Sequence, residues 1–91
     1  MYTLVWTQTF LRTLRKFLRK YPHLAAECAD VFQQLERDPD APRLRRHSLK
    51  GKHKDKSAVH LTYSHRIILI LKVKDRELAL LDIGDHATAY R

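Results

Sequence analysis

Four histidines, His47, His60, His65 and His86, fall at or beside strand-like stretches in the C-terminal half of this chain, with Arg66 among them. An imidazole with an ordinary pKa near ~6.5 can take or give a proton close to neutral pH. A guanidinium is planar and permanently charged, and suits a phosphate. A phenol such as Tyr90 stacks on a base or donates from its hydroxyl. Together these groups suit a reaction that needs no metal, the attack of an RNA 2′-hydroxyl on its own phosphodiester. That reaction calls for a base at the 2′-oxygen, cations around the crowded phosphate and an acid at the departing 5′-oxygen. His60, His86, Arg66, Tyr90 and the lysines Lys50, Lys52 and Lys54 could supply these parts, with His47 as an accessory acid or base. A lone histidine is more often a surface imidazole, so the reading depends on their convergence.

Two competing chemistries have less support. Asp82 and His86 are four apart and Asp85 adjoins His86, but no CxxC or HExxH pattern accompanies them, so no metal and no cofactor is expected. Ser48, Ser57 and Ser64 carry no nucleophile-elbow motif.

The elements that must position these groups follow from apolar periodicity. "YTLVWT" (2–7) reads as a short strand with Tyr2, Leu4 and Trp6 on one face. A helix to about Lys20 carries Phe10, Leu14, Phe17 and Leu18 at helical spacing, with Thr7 or Thr9 as its cap. Pro22 suits the first turn of a second helix, which runs to about Arg37 with Leu24, Cys28, Val31, Phe32 and Leu35 as its stripe. "DPDAP" (38–42) stops it. "LRRHSL" reads as a short edge strand. In "AVHLTY" (58–63), Val59, Leu61 and Tyr63 alternate with His60 and Thr62. "RIILILKV" (66–73) is apolar on both faces and therefore central, and "ELALLDI" (77–83) is the last strand. Short connections make the pairing antiparallel. The expectation is one α+β domain over residues 1–91: an N-terminal strand, an antiparallel helical hairpin and a mainly antiparallel sheet of three to four strands. With both helices on one face, the other face is left open, and His60 points to it.

Charge indicates the kind of partner. The 91 residues hold 18 Lys and Arg against 10 Asp and Glu, a net charge of +8. Residues 43–56 carry seven of those cations and residues 12–20 five, and the two stretches together contain a single acid, Asp55. Clustering of this kind suits a polyanion. Arg45, Arg46, Lys50, Lys52, Lys54 and His65 are the candidate nucleic-acid contacts. One cysteine excludes an intramolecular disulfide, and the longest apolar run, "IILIL", is far too short to span a membrane. No secretory signal is visible, so a soluble cytoplasmic protein is expected.

With these residues assembled, the chain resembles the RelE/ParE superfamily of bacterial type II toxins, and within it the YafQ-like and plasmid-stabilisation branch. The resemblance spans nearly the whole length. It rests on the β-α-α-β-β-β order and on "HSLKG" (47–51), "HLTYSHRIIL" (60–69) and "LLDIGDHATAYR" (80–91). It implies an mRNA interferase that cuts codons in the ribosomal A site without metal, and a cognate antitoxin that wraps the toxin in a hetero-oligomer. It also implies site roles for His47, His60 and His86, for Tyr90 four residues on, and for Arg66 as the arginine on which RelE-like members rely. Ser64 and His65 stand where the YafQ-like pattern has an acid and an aromatic, and Asp82 where it has an arginine. His65 and Arg66 are candidate replacements. The superfamily also contains ParE-like inhibitors of DNA gyrase, and shared folds do not fix function. A gyrase inhibitor and a nucleic-acid- or antitoxin-binding member with little activity are therefore the alternatives.

Overall fold

The computed structural model describes residues 1–85. The first strand, β1 (Thr3–Trp6), leads through Thr7 into helix α1 (Gln8–Lys20). Thr7 has an extended backbone, and its Oγ1 accepts the Phe10 N–H at 3.0 Å, which makes it the cap. The same hydroxyl donates to the Leu80 carbonyl at 3.4 Å and ties the helix start to the last strand. Thr7→Ala removes both bonds and is expected to cost about 1 kcal/mol, measured as a lower urea midpoint with an unchanged m-value.

Phe10 and Phe17 are the buried residues of α1, and Leu14 and Leu18 pack beside them. A single 3-10 turn over Pro22–Leu24 reverses the chain into α2 (Ala25–Arg37), which buries Cys28, Val31 and Leu35. Burial, with a smaller push from Glu27, raises the Cys28 thiol to about 11. Cys28 is therefore a neutral core residue and not a nucleophile.

The other strands are β2 (His47–Ser48), β3 (Ser57–His60), β4 (His65–Lys72) and β5 (Glu77–Asp85). All five form one sheet in the order β1-β5-β4-β3-β2. Three pairings are antiparallel and β1 runs parallel to β5. The sheet thus has five strands, more than expected, because the helical hairpin is long enough to return the chain beside β1. Both helices lie on one face, over Val59, Ile67, Leu69, Leu78 and Leu80. Among the described residues, no helix is long and apolar enough to cross a membrane.

Two sequence expectations are corrected here. The second face of the sheet is not wholly open, because the basic loop folds over it. Leu49 packs on Ala58 and Ile68, with Leu81 at the margin, and the Leu49 N–H donates to the Lys56 carbonyl at 2.9 Å. The end near His60 and Arg66 lies beyond this covered patch. In addition, β3 stops at His60, and residues 61–64 turn the chain. Tyr63 is therefore 93% exposed instead of lying on the inward face with Val59 and Leu61.

Candidate active site

Pairing register builds the site. His60 is the cross-strand partner of Arg66, and Arg66 is the partner of Gly84. Directly opposed residues share a face with Cβ atoms about 5 Å apart, so the imidazole and guanidinium rise side by side. Gly84 adds no side chain beside Arg66. His47 is opposite Ala58, two residues before His60, so it joins the same face. Between β4 and β5 the register shifts: Ile68 pairs with Asp82 and Leu69 with Leu80, leaving Leu81 as the extra residue. This bulge sets the phase of the last four residues of β5, so that Ile83 opposes Ile67 over the core and Gly84 opposes Arg66.

The result is a cleft of about 710 Å³ lined by Arg45, His47, His60, Tyr63, Ser64, Arg66 and Asp85. That is ample for a nucleotide-sized ligand. Arg45 enters it from a left-handed backbone, φ 49° and ψ 44°, a conformation that a residue with a Cβ adopts only at a cost. Its carbonyl accepts from His47 Nδ1 at 3.1 Å. A carbonyl can only accept, so Nδ1 of His47 is the donor in this bond.

Burial holds the His60 pKa below its ordinary value, and the charges of Arg66 and Arg45 push the same way against a smaller upward pull from Glu27. His60 is thus a neutral imidazole near pH 7. Arg66 Nε and Nη1 are sealed from water and have no hydrogen-bond partner among the described residues. Buried donors left unpaired are costly, and those of a permanent cation especially so.

Other candidates lie elsewhere. Arg46 turns away from the cleft: its Nη2 and Nε bond Asp40 Oδ1 at 2.7 and 3.0 Å, and its Nη1 donates to Ser57 Oγ at 3.1 Å. It braces the loop over the sheet. His65 shares the core-side parity of Ile67, with its ring edge-on to Tyr21 at 4.6 Å and Phe17 at 5.3 Å. It does not join the cleft. Burial is the first cause that lowers its pKa, opposed by Asp85 and aided by His23 and Lys20. Asp82 borders a separate groove against Thr13, Lys16 and Phe17 of α1. Lys50, Lys52 and Lys54 are exposed on the basic loop, and Lys50 and His47 border a neighbouring hollow. His86 and Tyr90 lie outside the described residues; His86 follows Asp85 directly in the chain. Tyr63 and Asp85 are the lining residues that the sequence reading did not place at the site. The signal for Tyr63 was its closeness in sequence to both His60 and Arg66.

The sequence matches the family described as "Bacterial toxin of type II toxin-antitoxin system, YafQ" over residues 2–90. The chain belongs to the YafQ family of toxins. It is a toxin of the type II toxin–antitoxin class. Solved structures of similar fold span its whole length. A metal-bound toxin from Helicobacter pylori is 28% identical with a TM-score of 0.77, and the match covers 97% of this chain and 98% of that one. YafQ from E. coli strain BL21(DE3) is 16% identical with a TM-score of 0.80, and the match covers 100% of both chains. The E. coli DinJ–YafQ complex gives 16% identity and a TM-score of 0.78, again covering 100% of both chains. At 16% identity these last two establish the YafQ fold alone. No curated protein gives a significant match.

Proposed function

We propose that this YafQ-family toxin is an endoribonuclease that cleaves mRNA in the ribosomal A site by 2′-hydroxyl attack, without a metal. The observation that carries the reading is the His60–Arg66 pair on the floor of a cationic cleft, with two sealed Arg66 N–H groups lacking an acceptor among the described residues. A phosphate oxygen entering the cleft provides an acceptor after a small rotation of the guanidinium. His60, held neutral, takes the proton of the 2′-hydroxyl. The 2′-oxygen bonds to phosphorus and the bond to the 5′-oxygen breaks, which leaves a 2′,3′-cyclic phosphate and a 5′-hydroxyl. Arg66 and Arg45 balance the charge that grows on the phosphate. His86 is assigned the proton for the departing oxygen, with His47 as accessory acid, and Tyr90 is assigned to the substrate base. Lys50, Lys52 and Lys54 hold the flanking backbone. The nucleophile belongs to the substrate, so no metal-bound water is required. Among the described residues, no group of three His, Cys, Asp or Glu side chains is arranged to hold a metal ion.

A cognate antitoxin is the proposed protein partner, in a toxin–antitoxin hetero-oligomer. The DinJ–YafQ complex, a pairing on the same fold, supports this assignment.

The direct test is primer extension on a reporter message after induction, with and without translation. Cuts that appear only in translated message, and vanish in His60→Ala, are the expected result. Inhibition of DNA supercoiling with the message left intact would replace this reading with a gyrase inhibitor.

The pH profile should follow His60. Its pKa is lowered, so the base form persists below ~6.5, and activity should be lost only as pH falls beneath that value. Arg45→Gln removes one of the charges that depress it. The acid limb of the single-turnover rate should then move to higher pH.

A further inference from the structure

Tyr63 is the most exposed large apolar or aromatic side chain among the described residues, at 93%, and it lines the lip of the cleft. Such exposure contributes nothing to the core. Yet the turn that carries it is tightly held. The His65 carbonyl accepts from the Leu61 and Thr62 N–H groups at 3.0 and 3.2 Å, and the His65 N–H donates to the Thr62 carbonyl at 3.3 Å. Thr62 Oγ1 accepts the Ser64 N–H at 3.2 Å and is 2.7 Å from His65 Nδ1. The His65 ring is in turn seated against Phe17 and Tyr21. A core-anchored base thus presents one solvated aromatic ring beside His60 and Arg66, three residues from each.

Single-stranded RNA is recognised by splaying its bases onto aromatic side chains, and any base can stack because each has a π face. We propose that Tyr63 is the platform of a nucleobase-stacking subsite at the mouth of the cleft, with Thr62 and His65 as the positioning residues that fix its turn. The proposal rests on the RNA-cleaving reading above and names the part of the substrate that the Tyr63 lip receives. A phosphodiester seated between His60 and Arg66 puts a neighbouring base against the ring. Stacking at this lip favours single strands, because a base within a duplex keeps both faces covered.

The test uses the full chain and a labelled single-stranded oligoribonucleotide blocked from cleavage by 2′-O-methyl groups, with binding read by fluorescence anisotropy. Tyr63→Ala should weaken binding by about fivefold or more. Tyr63→Phe, which keeps the ring, should bind as the wild type does. The dependence on salt should be the same in all three, since no phosphate contact is lost. An abasic oligonucleotide should bind the wild type and Tyr63→Ala equally. Thr62→Val should show part of the Tyr63→Ala loss, which marks it as positioning.

Unchanged binding by Tyr63→Ala overturns the subsite, as does a loss in Tyr63→Phe equal to that in Tyr63→Ala. If Arg66→Ala abolishes cleavage while Tyr63→Ala binds normally, the subsite falls and the nuclease reading stands. No binding of the oligonucleotide by the wild type overturns the subsite, while the nuclease reading stands or falls by cleavage of translated message.

Discussion

Arg66→Ala should lower the single-turnover rate of message cleavage by about 10²- to 10³-fold, the usual effect of removing one preorganised charge from a transition state. Two effects act together. The pentavalent phosphate loses the guanidinium nearest to it, and His60 loses a charge that keeps it neutral. Folding should not suffer. Arg66 Nε and Nη1 are buried without acceptors among the described residues, so truncation removes a desolvation cost instead of a bond. Thermal unfolding of the variant should therefore match or exceed that of the wild type. Arg66→Lys should recover little, because an ammonium is a point charge and cannot offer two parallel N–H groups to one phosphate. Single-turnover cleavage in a translating extract, paired with a melting curve, measures both halves of this expectation.

Phe10→Ala should have the largest effect on stability, about 3–5 kcal/mol, out of the ~5–15 kcal/mol that a domain of this kind possesses. Phe10 is fully buried, with its ring centroid 5.9 Å from that of Trp6 and 6.2 Å from that of Phe32. It is where β1, α1 and α2 meet. Truncation leaves a cavity that two rigid helices cannot close by small shifts. Chemical denaturation should show the midpoint falling steeply, and toxicity should fall through loss of folded protein. The contrast with Arg66→Ala is diagnostic: one variant is inactive and folded, the other is active in proportion to its folded fraction.

The helices were readable because their signals are local. Phe10, Leu14 and Phe17 recur at helical spacing, Thr7 supplies the cap, and Pro22 and the Asp38–Pro39 pair mark the breaks. The central strand was readable because Ile67 through Leu69 are apolar on both faces, and both faces are covered. His60 was readable from strand alternation and Arg66 from its place at the start of the next strand, whereas Arg45 was legible only as one of a run of cations and His47 only through the family resemblance. What escaped was non-local or depended on one residue of boundary. No local pattern tells β1 to pair with the outer edge of β5. Alternation continues past His60 to Tyr63, but the bonds between Thr62 and His65 turn the chain there. Beginning β4 at His65 instead of Arg66 puts His65 in phase with Ile67 and Leu69, facing the helices, which a one-residue longer strand would have disclosed. Arg46 reads as one more cation until Asp40 is seen to face it.

The chemistry of the cut ends distinguishes a substrate 2′-hydroxyl from water as the nucleophile. Message cleaved by the wild-type protein in a translating extract can be recovered and its termini assigned by selective ligation and mass spectrometry. Attack by the 2′-hydroxyl at the His60–Arg66 pair predicts a 2′,3′-cyclic phosphate on the upstream fragment and a 5′-hydroxyl on the downstream one, both absent with Arg66→Ala. A 3′-hydroxyl paired with a 5′-phosphate would mean that water was the nucleophile, and would contradict the account.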